Sequence, residues 1–264
     1  MAHIVSFYSF KGGVGRSVLL ANTAAILAKQ GFRVVCLDFD LEAGGLHTIF
    51  NVQPKLTLQD MLSSASCPPI GSVMIDLTEE IPEKNAAGKL WLLPSVSESH
   101  KLNAALEAGH DMSMVLSRIV ESIEDHCNPH FILVDTRSGF AEIAAASLRN
   151  ADSLIIALRP NRQNAEGLRF FLDIISNIRD PPETFLVVTQ VPQVDDAVSR
   201  VKSLEKRLGE NRKFDLLIPY DLDLAIEEKV FVISSPTSKS IKHYEKIADW
   251  LDKRFKDASG GKTR

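Results

Sequence analysis

The chain has 264 residues, 45% hydrophobic and 24% charged, ordinary values for a globular protein that exclude a disordered, collagen-like or fibrous chain. Lys and Arg number 30 against 34 Asp and Glu, a net charge of −4, so no overall basicity points to nucleic acid. Cys36, Cys67 and Cys127 form no C-x-x-C pair, are too few for a disulfide framework and fit a reducing compartment. With no apolar run near the ~20 residues that span a bilayer, a soluble cytoplasmic protein is expected.

Taken in chain order, residues 4–8 read as a buried strand and residues 17–30 as a helix stopped by Gly31. Short apolar runs at 34–37, 90–93, 131–134, 154–158, 185–188 and 216–218 are further buried strands. Helical periodicity occupies 110–125, 140–149, 164–178, 196–208 and 238–256. Near-continuous apolar strands separated by helices predict an α/β fold, a mainly parallel sheet with helices on both faces. Residues 65–89, with Pro68, Pro69, Gly71, Pro82 and Gly88, look like an irregular surface excursion. Residues 1–257 are expected to form one domain, and 258–264 a flexible tail.

Between the first strand and the first helix lies Ser9-Phe10-Lys11-Gly12-Gly13-Val14-Gly15-Arg16-Ser17. A glycine-rich turn at that place aims backbone N–H groups and a positive helix end at phosphate oxygens, and a hydroxyl at Ser17 suits a magnesium ion. The ordinary phosphate-loop pattern is G-x-x-x-x-G-K-[ST]; here Phe10 stands for the first glycine and Arg16 for the lysine.

The run Lys11–Ser17 resembles the deviant Walker A motif K-G-G-x-G-K-[ST] of the ParA/MinD family of P-loop ATPases, in its KGGVGR variant. Leu37-Asp38-Phe39-Asp40-Leu41-Glu42 is similar to the family's switch I, Val134-Asp135-Thr136-Arg137-Ser138-Gly139 to its Walker B and switch II segment, and Ile218-Pro219-Tyr220-Asp221 to its late I-P-x-D turn. The resemblance implies a P-loop NTPase fold, ATP or ADP and Mg²⁺ as ligands, and contacts to the nucleotide from Gly12, Gly13, Val14, Gly15, Arg16, Ser17 and Val18. It implies Ser17 and Asp135 as the magnesium holders, Asp40 as the residue that orients the attacking water, and Lys11 as the signature lysine that reaches a partner's phosphates in an ATP-bound homodimer. At the adenine end it implies Gln190, where the family often has asparagine, with Pro219 as a packing wall. Asp38 has a supporting place beside Asp40, and Arg137 either meets phosphate or a partner or is solvated. Paired cluster cysteines of the nitrogenase iron-protein branch are missing, since Cys127 precedes the Walker B strand, and the tail carries no tyrosines.

Arg16 keeps the positive charge of the family's lysine but spreads it over a broad planar fork. Binding is therefore expected to survive more surely than fast turnover. The last helix carries Ile241, Tyr244, Ile247, Ala248, Leu251 and Phe255 on one face, read as packing on its own sheet, which argues against peripheral membrane contact. Arg200, Lys202, Lys206, Arg207, Arg212 and Lys213 read as a solvated face and leave non-specific DNA open as a matrix. The expected function is a slow, Mg-dependent ATPase acting as a dimerisation switch read by an unidentified protein partner. The alternative is a nucleotide-binding regulatory or scaffold module with negligible hydrolysis.

Overall fold

A computed structural model describes residues 1–63, 67–96, 111–139 and 142–260. Residue 110 and residues 140–141, expected to begin helices, lie outside the described residues, as do 65–66 and 261–264. The described elements are β1 (His3–Tyr8), α1 (Arg16–Lys29), β2 (Arg33–Asp38), α2 (Leu46–Ile49), α3 (Leu58–Ser63), α4 (Ile70–Val73), β3 (Ile75–Asp76), β4 (Lys89–Leu93), α5 (Met112–Cys127) and β5 (Phe131–Asp135). They continue with α6 (Glu142–Asn150), β6 (Ser153–Leu158), α7 (Arg162–Ile175), β7 (Glu183–Val191), α8 (Ala197–Ser203), β8 (Leu216–Pro219), α9 (Leu222–Glu227), α10 (Phe231–Ser234) and α11 (Ile241–Gly260). Among the described residues the sheet has eight strands in the order β3-β4-β2-β5-β1-β6-β7-β8, and every pairing is parallel except β3 with β4.

The apolar runs are continuous because both sheet faces are covered. Alternate strand residues point to opposite faces. Phe7, Cys36, Leu133 and Ile155 pack with α1 and α11 on one side. Leu37, Ile132 and Val134 pack with α5 on the other, where Tyr8, Leu154, Ile156 and Val188 meet α7. Residues 18–28 of α1 are all buried, so this helix is enclosed rather than amphipathic. The apolar face of α11 lies against α1, with Tyr244, Ile247, Ala248 and Leu251 buried, as expected of a helix packed on its own domain.

Four differences from the sequence expectations have local causes. The stretch 65–89 is more than a surface excursion: it supplies α4 and the antiparallel edge strand β3, and it buries Val73, Leu77 and Ile81. Two residues of strand among prolines and glycines give no readable period. The helix expected at 196–208 divides into α8 and a 3₁₀ turn, Leu204–Arg207. The helix α11 continues to Gly260, past the expected start of the tail at 258, because Ala258 favours helix and the first glycine comes only at 260. The short helices α2, α3, α9 and α10 hold four to six residues each, too few for a periodic signal.

Parallel strands end together, and this brings the ends of β1, β2 and β5, two of them carrying carboxyl groups, to one edge. Asp38 of β2 and Phe7 of β1 both pair in register with Asp135 of β5. The chain leaves β1 toward β2 on one side, while β6 lies on the other, so the C-terminal end of β1 borders the crevice where open α/β sheets bind ligands. At the opposite edge, His130 is fixed by accepting the Arg33 backbone N–H at its Nδ1, 2.9 Å away. Burial and then the Arg33 charge hold its pKa below the ordinary imidazole value.

A depressed histidine stabilises the fold at pH above its unfolded value of about 6.5 and loses that contribution as pH falls toward the folded value. His3 is depressed in the same sense, chiefly by burial. Thermal melts should therefore show lower stability at pH 5.5 than at pH 7.5, and His130→Asn, whose amide oxygen can still accept the Arg33 N–H, should flatten the dependence. A slope unchanged by His130→Asn would rule out this contribution.

Candidate functional site

The loop after β1 turns on two glycines in the left-handed region, Gly13 at φ 71° and Gly15 at φ 82°. Gly15 is also the N-cap of α1 and offers no side chain, so the first N–H groups of α1, from Arg16, Ser17 and Val18, have no side-chain cap. Position 10 does not take a positive φ, so the structure does not require glycine there. Instead the Phe10 ring lies over Gly167 of α7, where an added Cβ would fall 2.3 Å from Cδ1 of Phe10.

The end of β7 holds the outer side of this loop. Its register against β8 shifts between Val188 and Val191, and Gln190 sits at φ 56°. Such an irregularity re-aims side chains. Thr189 Oγ1 donates to the Val14 carbonyl at 2.6 Å, and Gln190 Nε2 donates to the Gly13 carbonyl at 3.3 Å. With these carbonyls engaged from outside, the loop keeps its shape around a cavity on the inner side. Lys11 turns away from that cavity and donates to Gln163 Oε1 on α7 at 2.6 Å.

Two cavities meet at the loop. One, of about 540 Å³, is lined by Gly12 to Val18, Asp40, Glu42 and Arg137, among others. The second, of about 490 Å³, is lined by Arg159, Thr189, Gln190, Pro219, Tyr220 and Leu224. The first is polar, carries the uncapped end of α1, and suits phosphate groups. The second is walled by aliphatic and aromatic groups with a few polar ones, as a planar base requires.

Asp38, Asp40 and Asp135 are all buried, and of the three Asp40 lines the first cavity. Asp38 Oδ2 accepts from the Leu46 N–H at 3.0 Å, and Asp40 Oδ1 accepts from the Ala43 N–H at 3.1 Å, so both shape the turn after β2. Burial, and after it the Asp135 charge, pushes the Asp38 carboxyl well above the usual carboxylate range. Arg16 supplies a cation: its Nε donates to Asp135 Oδ1 at 2.5 Å, and its Nη2 lies 3.6 Å from Asp40 Oδ2. Burial works to lower the guanidinium's pKa, but the Asp135 charge and hydrogen bond outweigh it and hold the pKa above the ordinary value.

Of the predicted site residues, Gly12 to Val18 and Asp40 line one cavity, and Gln190 and Pro219 line the other. Arg16 pairs with Asp135 and Asp40, because buried carboxylates need a nearby positive charge. Lys11 stands outside the cavity formed by its own loop. Arg137 lines the phosphate-loop cavity and pairs with Glu42 across the two segments that follow β5 and β2. Sequence reasoning missed Thr189 as a clamp on the loop, and Arg159 and Glu228 as lining residues. Thr189 could have been found from its place beside Gln190 at a strand end; nothing local marks the other two.

Hard oxygen donors from Ser17 and Asp40 line the phosphate-suited cavity, Asp135 lies behind the cavity-lining Arg16, and the Ser17 hydroxyl has no partner among the described residues. This donor set fits Mg²⁺ in chemistry. No helix among the described residues is long and apolar enough to cross a membrane. Of the basic cluster, Arg200, Arg207 and Arg212 are paired with Asp196, Glu166 and Asp173.

Comparison with known proteins agrees with this geometry. An uncharacterised ATP-binding protein of Methanocaldococcus jannaschii is 27% identical over 168 residues, 61% of this chain and 54% of that protein. The chromosome-partitioning ATPase Soj of Treponema pallidum is 23% identical over 231 residues, 85% of this chain and 86% of Soj. The chain spans about half the length of several curated relatives it matches. Among solved structures, the septum site-determining protein MinD of Pyrococcus horikoshii, complexed with Mg-ADP, superposes with a TM-score of 0.72 at 18% identity, over 96% of this chain and 97% of that one. The AAA domain family AAA_31 matches residues 2–188, well over half the chain, and the protein belongs to it as a ParA/MinD-family P-loop ATPase.

Proposed function

We propose that this protein is a slow, Mg-dependent ATPase that works as a nucleotide-controlled dimerisation switch, with residues 1–257 acting as one ATPase domain in the cytoplasm. The observation that carries the proposal is the uncapped α1 terminus opening into a cavity lined by Ser17 and Asp40, with Asp135 bonded to the cavity-lining Arg16. Backbone N–H groups from Gly12 to Val18 would hold the phosphates of ATP, and Gln190 and Pro219 would border the adenine. Ser17 and Asp135 would hold Mg²⁺. Bound there, the metal would neutralise charge on the β- and γ-phosphates.

The chain's own residues then divide the work. Asp40 accepts a hydrogen bond from the attacking water and aligns it. Lys11, which stands outside its own cavity, reaches the phosphates of a second copy. Arg16 serves two masters: it stabilises charge developing on the transferring phosphoryl group, but it must first leave Asp135 and Asp40. That exchange makes turnover slow. The same Arg16–Asp135 pair favours, as the second reading, a scaffold that binds nucleotide and hydrolyses it negligibly. A dimer state read by a protein partner fits the relatives that partition chromosomes or place division septa.

Calorimetry should show ATP and ADP binding that strengthens with Mg²⁺ and exceeds GTP binding. Arg16→Lys should change the steady-state phosphate-release rate more than the nucleotide affinity, because ground-state binding draws mainly on backbone N–H groups. Asp40→Ala should lower the rate by about a hundredfold while largely sparing binding. Loss of ATP binding in both variants, or unchanged phosphate release in both, would sink the switch and leave the scaffold.

Lys11→Ala should weaken ATP-dependent assembly and leave the melting temperature near that of the wild type, since the side chain is exposed and among the described residues bonds to Gln163 alone. Light scattering with ADP and with ATP checks this. Equal assembly and turnover in the two proteins would remove Lys11 from the mechanism.

A further inference from the structure

The parallel ladder between β2 and β4 ends at Leu37 and Leu93. Beyond it, side chains take over from the backbone. Ser95 Oγ donates to the Asp40 carbonyl at 3.2 Å. Gln59, in the first turn of α3, points its amide nitrogen at three acceptors. These are Ser95 Oγ at 2.6 Å, the Val96 carbonyl at 2.7 Å and the Leu41 carbonyl at 3.1 Å. Gln59 and Ser95 are both fully buried. From this convergence we infer that Gln59 is a positioning residue: acting with Ser95, it holds the backbone of Asp40 and Leu41 so that the Asp40 carboxylate meets the attacking water. The inference rests on the ATPase reading above.

The hydrogen-bond chemistry runs in one direction. An amide nitrogen offers two hydrogens, and a hydroxyl can accept one bond while it donates another. Gln59 therefore donates to Ser95, and Ser95 donates to Asp40. The Asp40 and Leu41 carbonyls lie past the end of β2, and a backbone carbonyl in a buried turn must find a donor. Here both donors come from other segments, the loop after β4 and the start of α3.

That support is itself anchored. The Leu58 N–H donates to the Pro94 carbonyl at 2.8 Å, and Leu58 is fully buried. The Thr57 N–H and hydroxyl both donate to Asp60 Oδ2 at 2.8 Å, which closes the start of α3. From the other side, the turn after β2 rests on Ser95 a second time: a Cβ added to Gly44 would fall 2.6 Å from the Ser95 carbonyl oxygen. With the Asp40 carbonyl held by Ser95 and its Oδ1 held by the Ala43 N–H, the direction of the carboxylate is set relative to β4 and α3. Alignment of a nucleophile is sensitive to such support, since a displacement of about 1 Å can cost about a hundredfold in rate.

Single-turnover hydrolysis of ATP with Mg²⁺ by the full chain, beside calorimetric ATP affinity, tests the assignment in wild type, Gln59→Met, Asp40→Ala and the double variant. Methionine is unbranched and of similar length but has no hydrogens to donate. Gln59→Met should lower the rate about tenfold and leave ATP affinity within about twofold. In the Asp40→Ala background the same substitution should lower the rate no further, because its effect passes through Asp40. A general packing defect would lower the rate again there. If Gln59→Met melts below the assay temperature, Ser95→Ala, which loses one hydroxyl, carries the same comparison with an expected fall of about threefold. A wild-type rate in the variant, a further fall in the Asp40→Ala background, or an affinity that drops in step with the rate would each overturn the positioning role while leaving the ATPase reading in place. Absence of hydrolysis in the wild type would bring down that reading and this inference with it.

Discussion

Three carboxyl groups meet at the C-terminal edge of the sheet, and the site depends on how their charge is balanced. Asp38, Asp40 and Asp135 are brought together because β2 and β5 are neighbours in parallel register and end at the same level. Like charges in a buried setting repel, and each pays for desolvation. The structure answers in two ways. Backbone N–H groups of Leu46 and Ala43 bond to Asp38 and Asp40, and the Arg16 guanidinium is drawn onto Asp135 and Asp40. The first answer shapes the turn after β2, and the second draws the first side chain of α1 down to the floor of the cavity.

The phosphate loop is held from the side opposite this cluster. Its conformation needs positive φ at Gly13 and Gly15, but glycines alone leave a loop free to take other shapes. The irregular end of β7 removes that freedom by engaging two loop carbonyls through Thr189 and Gln190. Phe10 adds a hydrophobic contact on Gly167, which ties the loop to α7 as well. Each clamp comes from a strand or helix that is itself buried in the sheet's packing, so the rigidity of the loop derives from the fold.

Much of this was legible in the sequence, for reasons that differ by element. The strands at 4–8, 34–37, 90–93, 131–134, 154–158, 185–188 and 216–218 could be read because both sheet faces are covered and each run is apolar, broken only by Ser6 in the first. The glycine loop could be read because phosphate-binding turns need glycine at defined spacing. The edge strand β3 could not, since two residues carry no period. The pairing of Arg16 with Asp135, and of Arg137 with Glu42, could not be read either, because each joins residues far apart in the chain whose meeting depends on strand order. Glu228 was invisible for the same reason: its place follows from where Asn22 anchors the chain beyond α9.

The substitution of arginine for the family's lysine takes its meaning from this setting. A lysine ammonium is a point charge that can pivot on a flexible stem, whereas a guanidinium is a planar fork with donors in fixed directions. Arg16 uses that fork: Nε engages Asp135, Nη1 reaches Ser9 Oγ at 3.4 Å, and Nη2 faces Asp40. Three partners on three segments are held by one side chain, so moving it toward a phosphate disturbs the ends of β1, β2 and β5 together. A lysine at the same position could not bridge all three with one ammonium in the same geometry. The departure from the family pattern therefore ties the charge of the phosphate loop to the strand ends on which the remaining candidate residues stand.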